Sequence, residues 1–551
     1  MAVFASNITR RGVVAGAAAV GLGFAGAQFA AGTSCAFASG EARATATTAG
    51  NDCTPTFLES PEAITDFAET KDFDVVVVGA GASGLAAAMR AAQEGAKVAV
   101  VQKLDFASTQ GFKATGLLAD DNDEPTKQAF VSKALALSEW RPKRELLDAW
   151  AHNSGDAIAW FRGILDEAGV EQEAEDTCTY ERDCNGYTAK FLTCRPSATY
   201  AGAADGVATY AADKLGVEFF YGMPAVQLAV TDGAVTGVIA GTEGAYTLFS
   251  AAKGVVLATG DYQCNDEMIA FFCPDVLGFP PLEVGRDGDG HRMGVWAGGH
   301  LEPVGHTKMI HESWSNDAPF LMVNAKGERF CDEHIPWFKI NTLLRSTMKT
   351  RTDDHAPCEL YSIADAKYQD QMTEWQAIDA DIKIKDWPEM DPEAVYQFSW
   401  EADTLEELAG LMGVDADALQ ATVKRYNELV DAGADEDFGK DVRFMAKIDT
   451  PPFRAVMRDF VEGLSAMLGG LVVDADQRVL NANDEPIAGL FAVGNVSGPF
   501  FGGIDYPMYF PGLSIGRALT TGYIAGAAVV QGYRRLRRGG EFRPESPPHI
   551  G

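Results

Sequence analysis

The sequence predicts an α/β protein in which a Rossmann-like domain, split along the chain, carries an inserted α+β capping domain. Three observations predict it. A strand, a glycine-rich turn, a helix and a second strand follow one another within residues 72–101. A meander of short strands occupies 217–250, and two helices occupy 404–431. At 551 residues the chain exceeds one compact core, so two or three lobes are expected.

The first strand is Phe73-Asp74-Val75-Val76-Val77-Val78, a β-branched run suited to a parallel strand buried on both faces. Gly79-Ala80-Gly81-Ala82-Ser83-Gly84 follows directly. A helical stretch then runs from Leu85 to Glu94, is closed by Gly95, and gives way to a strand from Lys97 to Val101. The glycines permit a tight turn, a close approach to a pyrophosphate, and packing of helix on strand. The helix start offers free N–H groups and a favourable dipole to phosphate. Gly79, Gly81, Ser83 and Gly84 are therefore expected at a bound dinucleotide. Gln102 stands at the strand end, where an acid usually meets the ribose hydroxyls; its amide oxygen accepts one hydrogen bond without the charge. Lys103 follows it and is counted with the cofactor contacts.

The meander at 217–250 turns at Thr231-Asp232-Gly233. The second helix of 404–431 is capped by Asp415 and lines up Leu419, Val423, Tyr426 and Val430 on one face. No internal repeat is evident.

Residues 1–38 read as a twin-arginine signal peptide. Thr9-Arg10-Arg11-Gly12-Val13-Val14 precedes an Ala/Gly-rich apolar run to Ala31, and Ala36-Phe37-Ala38 offers a small-x-small cleavage site. The alternative is a retained membrane anchor, although the Gly and Ala content suits one poorly. Residues 39–70 read as a linker. The expected location is the periplasm or an extracytoplasmic face.

Hydrophobic residues make up 47% and charged residues 22%, an ordinary globular mix. The net charge of -33 argues against nucleic acid or an anionic membrane surface as partner. It favours a basic redox partner and requires local positive charge wherever an anion binds. The nine cysteines match neither zinc spacing nor a haem-attachment motif, and no metal site is expected.

Further segments carry a resemblance. They are Val255-Val256-Leu257-Ala258-Thr259-Gly260, Gly288-Asp289-Gly290, Asn324-Ala325-Lys326-Gly327-Glu328-Arg329-Phe330, Thr404-Leu405-Glu406-Glu407-Leu408, Val423-Lys424-Arg425-Tyr426-Asn427 and Gly489-Leu490-Phe491-Ala492-Val493-Gly494-Asn495. In order and spacing the chain resembles the fumarate reductase/succinate dehydrogenase flavoprotein family over 72–530. The resemblance implies an FAD-binding domain at 71–285 and 447–535, a capping domain at 286–446 and a tail at 536–551, with substrate held between cap and flavin. It places Thr109, Gln110 and Gly116 in the loop beneath the pyrophosphate and flavin. That loop has no histidine, so non-covalent FAD is expected. Thr259, Gly260 and Asp289 join the site, and Asn495 replaces the usual ribose-binding glutamate. Gly512, Ser514 and Ile515 open the last helix toward the flavin pyrimidine edge, where free N–H groups stabilise negative charge.

The chain also departs from that family. Trp337 stands where the family's acid arginine belongs, Tyr509 where its clamp arginine belongs, and Ser465 or Ala466 where its histidine belongs ahead of Gly469-Gly470. Every change removes positive charge, which disfavours a buried dicarboxylate. Trp337, Phe338, Tyr506, Tyr509 and Phe510 make the region aromatic, with Phe338 and Phe510 read as core. The Tyr506 and Tyr509 hydroxyls are candidates to bind a carbonyl or deliver a proton. His311 or His306 lies near the family's substrate histidine, and Glu333 is a further candidate.

The expected activity is that of an ene-reductase in anaerobic respiration. Hydride would pass from reduced FAD to an activated C=C bond, an enone or enoate, of a mainly apolar or aromatic small molecule. The segment 506–523 looks like that of exported gut-bacterial reductases. The alternatives are a 3-ketosteroid-type dehydrogenase and a non-catalytic FAD-containing binding protein. No haem motif, iron–sulfur cysteine set or second dinucleotide fingerprint is present, so a separate donor is expected, a cytochrome or a membrane quinol-linked protein.

Overall fold

A computed structural model describes residues 55–174, 177–197, 199–310, 318–334, 360–382, 398–458, 463–503, 505–507 and 509–531. The expected signal peptide, the first half of the linker, the tail, His311, Trp337 and Phe338 lie outside the described residues.

Strand β1 (Glu69–Val78), helix α1 (Ala82–Gln93) and β2 (Val98–Val101) form the expected unit, the strands parallel with Val75 opposite Val98. Val75, Val76 and Val77 are fully buried, as a strand covered on both faces requires. Next come β3 (Ala114–Leu117), α2 (Glu124–Leu137), α3 (Arg144–Glu167), β4 (Thr179–Cys184) and β5 (Tyr187–Cys194). The three strands make a small antiparallel sheet in the order β3-β5-β4. Asp123 caps α2 by accepting the Thr126 N–H.

Helix α4 (Tyr200–Leu215) ends on Gly216 at φ +71° and leads to β6 (Glu218–Phe220), parallel to β2. β7 (Ala225–Thr231) and β8 (Ala234–Ala240) form the predicted hairpin. Its turn is Asp232 at φ 50° and Gly233 at φ 78°, the left-handed pair that a two-residue loop needs. β9 (Thr247–Leu257) then enters the main sheet parallel to β1.

Helices α5 (Asp266–Phe272) and α6 (Asp289–Trp296) and strand β10 (Lys308–Ile310) stay with this first domain. The cap follows as β11 (Leu321–Val323), β12 (Leu360–Ala364), α7 (Tyr368–Ile382), β13 (Trp400–Ala402), α8 (Leu405–Met412), α9 (Ala416–Ala432) and β14 (Phe453–Arg458). Its antiparallel sheet runs β11-β12-β14-β13. Leu408 from α8 joins Leu419, Val423, Tyr426 and Leu429 from α9 in the core on that sheet, while Val430 is only partly buried.

The strands of the cap sheet lie between 321 and 458. α6 packs on the first domain, where Gly294 leaves no room for a Cβ against Leu471, and β14 pairs with β12 and β13.

The chain returns through β15 (Leu464–Met467), antiparallel to β10, then β16 (Leu471–Val472), β17 (Arg478–Leu480) and β18 (Pro486–Ala492), parallel to β9. The main sheet reads β17-β18-β9-β1-β2-β6. After β19 (Ser497–Gly498), helix α10 (Leu513–Gln531) closes the fold against α1. A Cβ at Gly522 or Gly526 would stand 2.2 or 2.5 Å from a backbone oxygen of α1, and one at Gly516 1.9 Å from the Thr115 oxygen of β3, so these contacts require glycine. α10 is long and apolar enough to cross a membrane, but 72% of its apolar window is buried inside the fold.

Candidate active site

At the carboxyl ends of β1, β2 and β9 lies a cleft with about 470 Å³ of open space. Gly79, Ala80, Gly81, Gln102, Lys103, Ser108, Thr259, Arg286 and Asp289 line it, among others. Gly79 holds φ +107°, and a Cβ there would meet the Ala258 carbonyl oxygen at 2.4 Å. A Cβ on Gly84 would lie 2.0 Å from the Gly79 oxygen, so the turn and the start of α1 are pressed together. Ser83 is buried beneath Gly494.

Gln102 is buried and its amide Nε2 donates to the Phe106 carbonyl at 2.9 Å. Its amide oxygen has no partner among the described residues. Lys103 bridges to Asp287 at 2.5 Å and Asp289 at 2.6 Å, and these carboxylates raise its pKa against the opposing effect of burial. Asp289 also holds Arg292 at 2.6 Å. The Thr259 hydroxyl is buried in the cleft wall without a partner. Gly260, at φ +77°, lies directly against the Arg286 side chain. An orphaned buried hydroxyl, a glycine cradle and an unpaired amide oxygen are what a polyol and pyrophosphate would satisfy, so these residues fit the adenosine diphosphate half of FAD.

A second group of residues is linked by hydrogen bonds around Asn495 and Asp261. Asn495 follows β18 and donates through Nδ2 to Asp261 at 3.2 Å and to Gln110 Oε1 at 3.4 Å. Gln110 Nε2 donates in turn to the Ser465 carbonyl. The Asp261 carboxylate also accepts from the Gln263 and Met467 backbone N–H groups. Burial raises the Asp261 pKa, opposed by the charge of Arg286. The Thr109 hydroxyl braces Gly111. Gly512 sits at φ +78° and its carbonyl accepts the Thr115 N–H at 3.1 Å. Ile515 is partly buried against the core that carries α1.

Several expectations are corrected. Gly116 lies within β3, where a Cβ would meet the Ser154 oxygen of α3 at 2.3 Å, so its smallness serves helix packing. The Ser514 N–H is taken at 2.9 Å by the Tyr506 hydroxyl and is not free for the flavin. Tyr509 turns toward the β4–β5 turn, giving its proton to the Asp183 carbonyl at 2.8 Å with Lys133 over its ring at 4.8 Å. Glu333 is buried in the cap, 2.8 Å from Arg329 and 3.0 Å from Lys440, while Arg329 also holds Asp435 at 2.9 Å. Its carboxylate is thus committed to an ion-pair network. His306 is buried, accepts or donates at Tyr262 and the Glu302 carbonyl, and stacks on Phe272 at 4.1 Å. Burial pushes its pKa down to about 3, so it is a neutral packing residue. Phe510 is fully buried, as expected of core.

Sequence reading missed Asp261, Gln263 and Arg286. Position was the available signal: Asp261 directly follows Thr259-Gly260, and Arg286 stands two residues before Gly288-Asp289-Gly290.

A parallel sheet with a glycine cradle at its carboxyl edge, with a second α+β unit on the same chain, defines a dinucleotide-binding fold. The chain belongs to the FAD binding domain family, which it matches over residues 74–506. It is 28% identical over 507 residues to the vinyl phenol reductase of Lactiplantibacillus plantarum, covering 84% of this chain and 97% of that protein. It is 26% identical over 463 residues to the NADH:fumarate oxidoreductase of Klebsiella pneumoniae, covering 79% of this chain and 46% of that protein. Among solved structures, the 3-ketosteroid-delta4-(5alpha)-dehydrogenase from Rhodococcus jostii RHA1 matches with a TM-score of 0.62 at 23% identity, covering 86% of this chain and 99% of that one. That last likeness shows the fold. The protein is an FAD-dependent oxidoreductase of the fumarate reductase-like flavoproteins.

Proposed function

We propose that this protein is an exported reductase that saturates an activated carbon–carbon double bond in a largely apolar or aromatic small molecule, using non-covalently bound FAD. The observation that carries the reading is the position ahead of Gly469-Gly470. Ala466 is buried there and the buried Ser465 hydroxyl has no partner, so this position offers no cation to a carboxylate. A buried dicarboxylate stripped of its cations is heavily penalised, whereas an aromatic alkene is not. The vinyl phenol reductase of L. plantarum, spanned over 97% of its length, supports an aromatic alkene as substrate.

When bound and reduced by its electron donor, FAD would supply the hydride for the β carbon of such an alkene and return to the oxidised form. Gly79, Gly81, Gln102, Thr259 and Asp289 would hold its adenosine diphosphate half, and Gln110 and Asn495 would lie toward the rest. Tyr506 holds the proton for the α carbon. Its hydroxyl is buried, accepts the Ser514 N–H, and has no acceptor for its own proton among the described residues. Burial pushes its pKa far above the ordinary tyrosine value, so it stays protonated at neutral pH. Phe501 packs edge-on at 5.1 Å and keeps water from the ring. The Arg10-Arg11 pair supports export, and the net charge of -33 suits a basic cytochrome or a quinol-linked membrane protein as electron donor.

The test is anaerobic reoxidation of the chemically reduced protein by vinyl phenols, cinnamates, enones and steroids, with fumarate as control. Recovery of oxidised flavin with an apolar alkene class is expected. Recovery with fumarate alone would overturn the substrate class, and no recovery with any alkene would overturn the reductase reading.

A further inference from the structure

We propose that Arg286 is a cation for the FAD pyrophosphate, held in place by the Lys103 ion pairs that close the cleft; the proposal rests on the cofactor assignment and is independent of the substrate. A pyrophosphate carries two negative charges into a chain of net charge -33, so the cleft must provide positive charge locally. Lys103 does not provide it, because Asp287 and Asp289 neutralise it at 2.5 and 2.6 Å. Arg292 is likewise paired with Asp289.

Arg286 differs. No carboxylate lies within salt-bridge distance of it among the described residues, and Asp261 and Glu283 feel its charge only from farther away. Among the described residues, the one hydrogen bond of its side chain is a long 3.4 Å contact to the Ser108 carbonyl. Ser108 faces the phosphate loop, since a Cβ on Gly81 would stand 3.2 Å from that same oxygen. The guanidinium lies against Gly260, where a Cβ would be 2.7 Å from Nη1. It therefore spans the cleft from Gly260 to Ser108, beside Gly79 and Gly81. A guanidinium presents a planar fork of donors that matches phosphate oxygens in pairs.

The backbone that carries Arg286 is tethered on both sides. The Cys264 N–H donates to the Arg286 carbonyl at 2.9 Å, and Asn265 Nδ2 donates to the Asp287 carbonyl at 3.1 Å. The Lys103 bridges add two ionic tethers from the end of β2. Lys103 is thus a positioning residue and Arg286 the binding one.

The test uses the full chain stripped of flavin. FAD binding is followed by quenching of flavin fluorescence, with ADP and adenosine as competitors. Wild-type affinity for FAD is established first; failure there would refute the cofactor assignment itself and leave the role of Arg286 without a basis. Arg286→Gln is expected to weaken FAD and ADP about 10–100-fold while leaving adenosine unchanged, and to flatten the salt dependence of FAD binding. Arg286→Lys keeps the charge and is expected to recover part of the loss, which keeps the test valid if the glutamine variant does not fold. Lys103→Met is expected to weaken ADP less than Arg286→Gln does. FAD affinity within twofold of wild type in Arg286→Gln, or equal losses for ADP and adenosine, would overturn the proposal.

Discussion

The Tyr506 hydroxyl lies 2.9 Å from the Ser514 backbone nitrogen and accepts its hydrogen bond at the first turn of α10. One side chain thereby caps the last helix and keeps a buried proton. Removing the hydroxyl leaves a buried N–H unsatisfied, a loss of about 1–3 kcal/mol. Tyr506→Phe is therefore expected to retain FAD, to unfold at lower temperature, and to slow substrate-dependent reoxidation about 10²–10⁴-fold. Stopped-flow reoxidation in H₂O and D₂O reads this directly. A wild-type rate in Tyr506→Phe would make the residue a helix cap alone.

Buried Glu302 and His306 give stability opposite slopes with pH. Burial pushes Glu302 up to about 7 from 4.5 and His306 down to about 3 from 6.5. A carboxyl with a raised pKa binds its proton more tightly when folded. Its contribution is complete below pH 4.5 and is lost as pH rises through 7. An imidazole with a lowered pKa resists protonation when folded, so its contribution is present above pH 6.5 and is lost as pH falls toward 3. Glu302→Gln removes the first slope and keeps an oxygen for the Gly470 N–H, which Glu302 accepts at 2.9 Å. Its stability relative to wild type is expected to rise from pH 5 to pH 8 by at most about 3 kcal/mol. Denaturant titrations at the two pH values measure the gap, and a constant gap would count against a buried ionising Glu302.

Much of the first domain was legible because its determinants are local. Four consecutive valines and the glycine register specify strand, turn and helix within about twenty residues, and Asp415 capped the cap-domain helix as its spacing implied. Contacts between distant segments were not legible. Asn495 meets Asp261 across 234 positions, and Lys440 meets Glu333 across 107. Glu333 therefore read as a free acid near a substrate when its charge was already taken. Tyr509 misled for the same reason: its acceptor, the Asp183 carbonyl, is a main-chain atom 326 residues away.

Two glycines separate steric need from helix cost. A methyl on Gly84 would lie 2.0 Å from the Gly79 oxygen, a backbone atom of the phosphate turn, whereas one on Gly163 in α3 meets nothing within 4 Å. Gly84→Ala is expected to yield protein without flavin absorbance. Gly163→Ala is expected to keep its flavin and gain about 0.5–1 kcal/mol, because alanine lowers the entropy of the unfolded chain in an exposed helix. Flavin-to-protein absorbance ratios and thermal unfolding of both variants test the contrast. A fully loaded Gly84→Ala would mean the cradle is not at the cofactor.

The cap stands or falls on Glu333. Its carboxylate takes Arg329 at 2.8 Å and Lys440 at 3.0 Å, and Lys440 also donates to the Pro319 carbonyl at 2.5 Å. Glu333→Ala would leave Lys440 fully buried with its charge uncompensated, and breaking a buried pair in this way costs about 3–5 kcal/mol. The expected result is early unfolding and rapid proteolysis of the cap between 321 and 458, with FAD retained, because among the described residues none that lines the cofactor cleft touches this network. The double variant Glu333→Leu with Lys440→Met removes both charges together and is expected to regain most of the stability, although Arg329 keeps only Asp435. Limited proteolysis and denaturant unfolding of the single and double variants decide the matter. A Glu333→Ala protein with an intact cap and no turnover would return the residue to the chemistry.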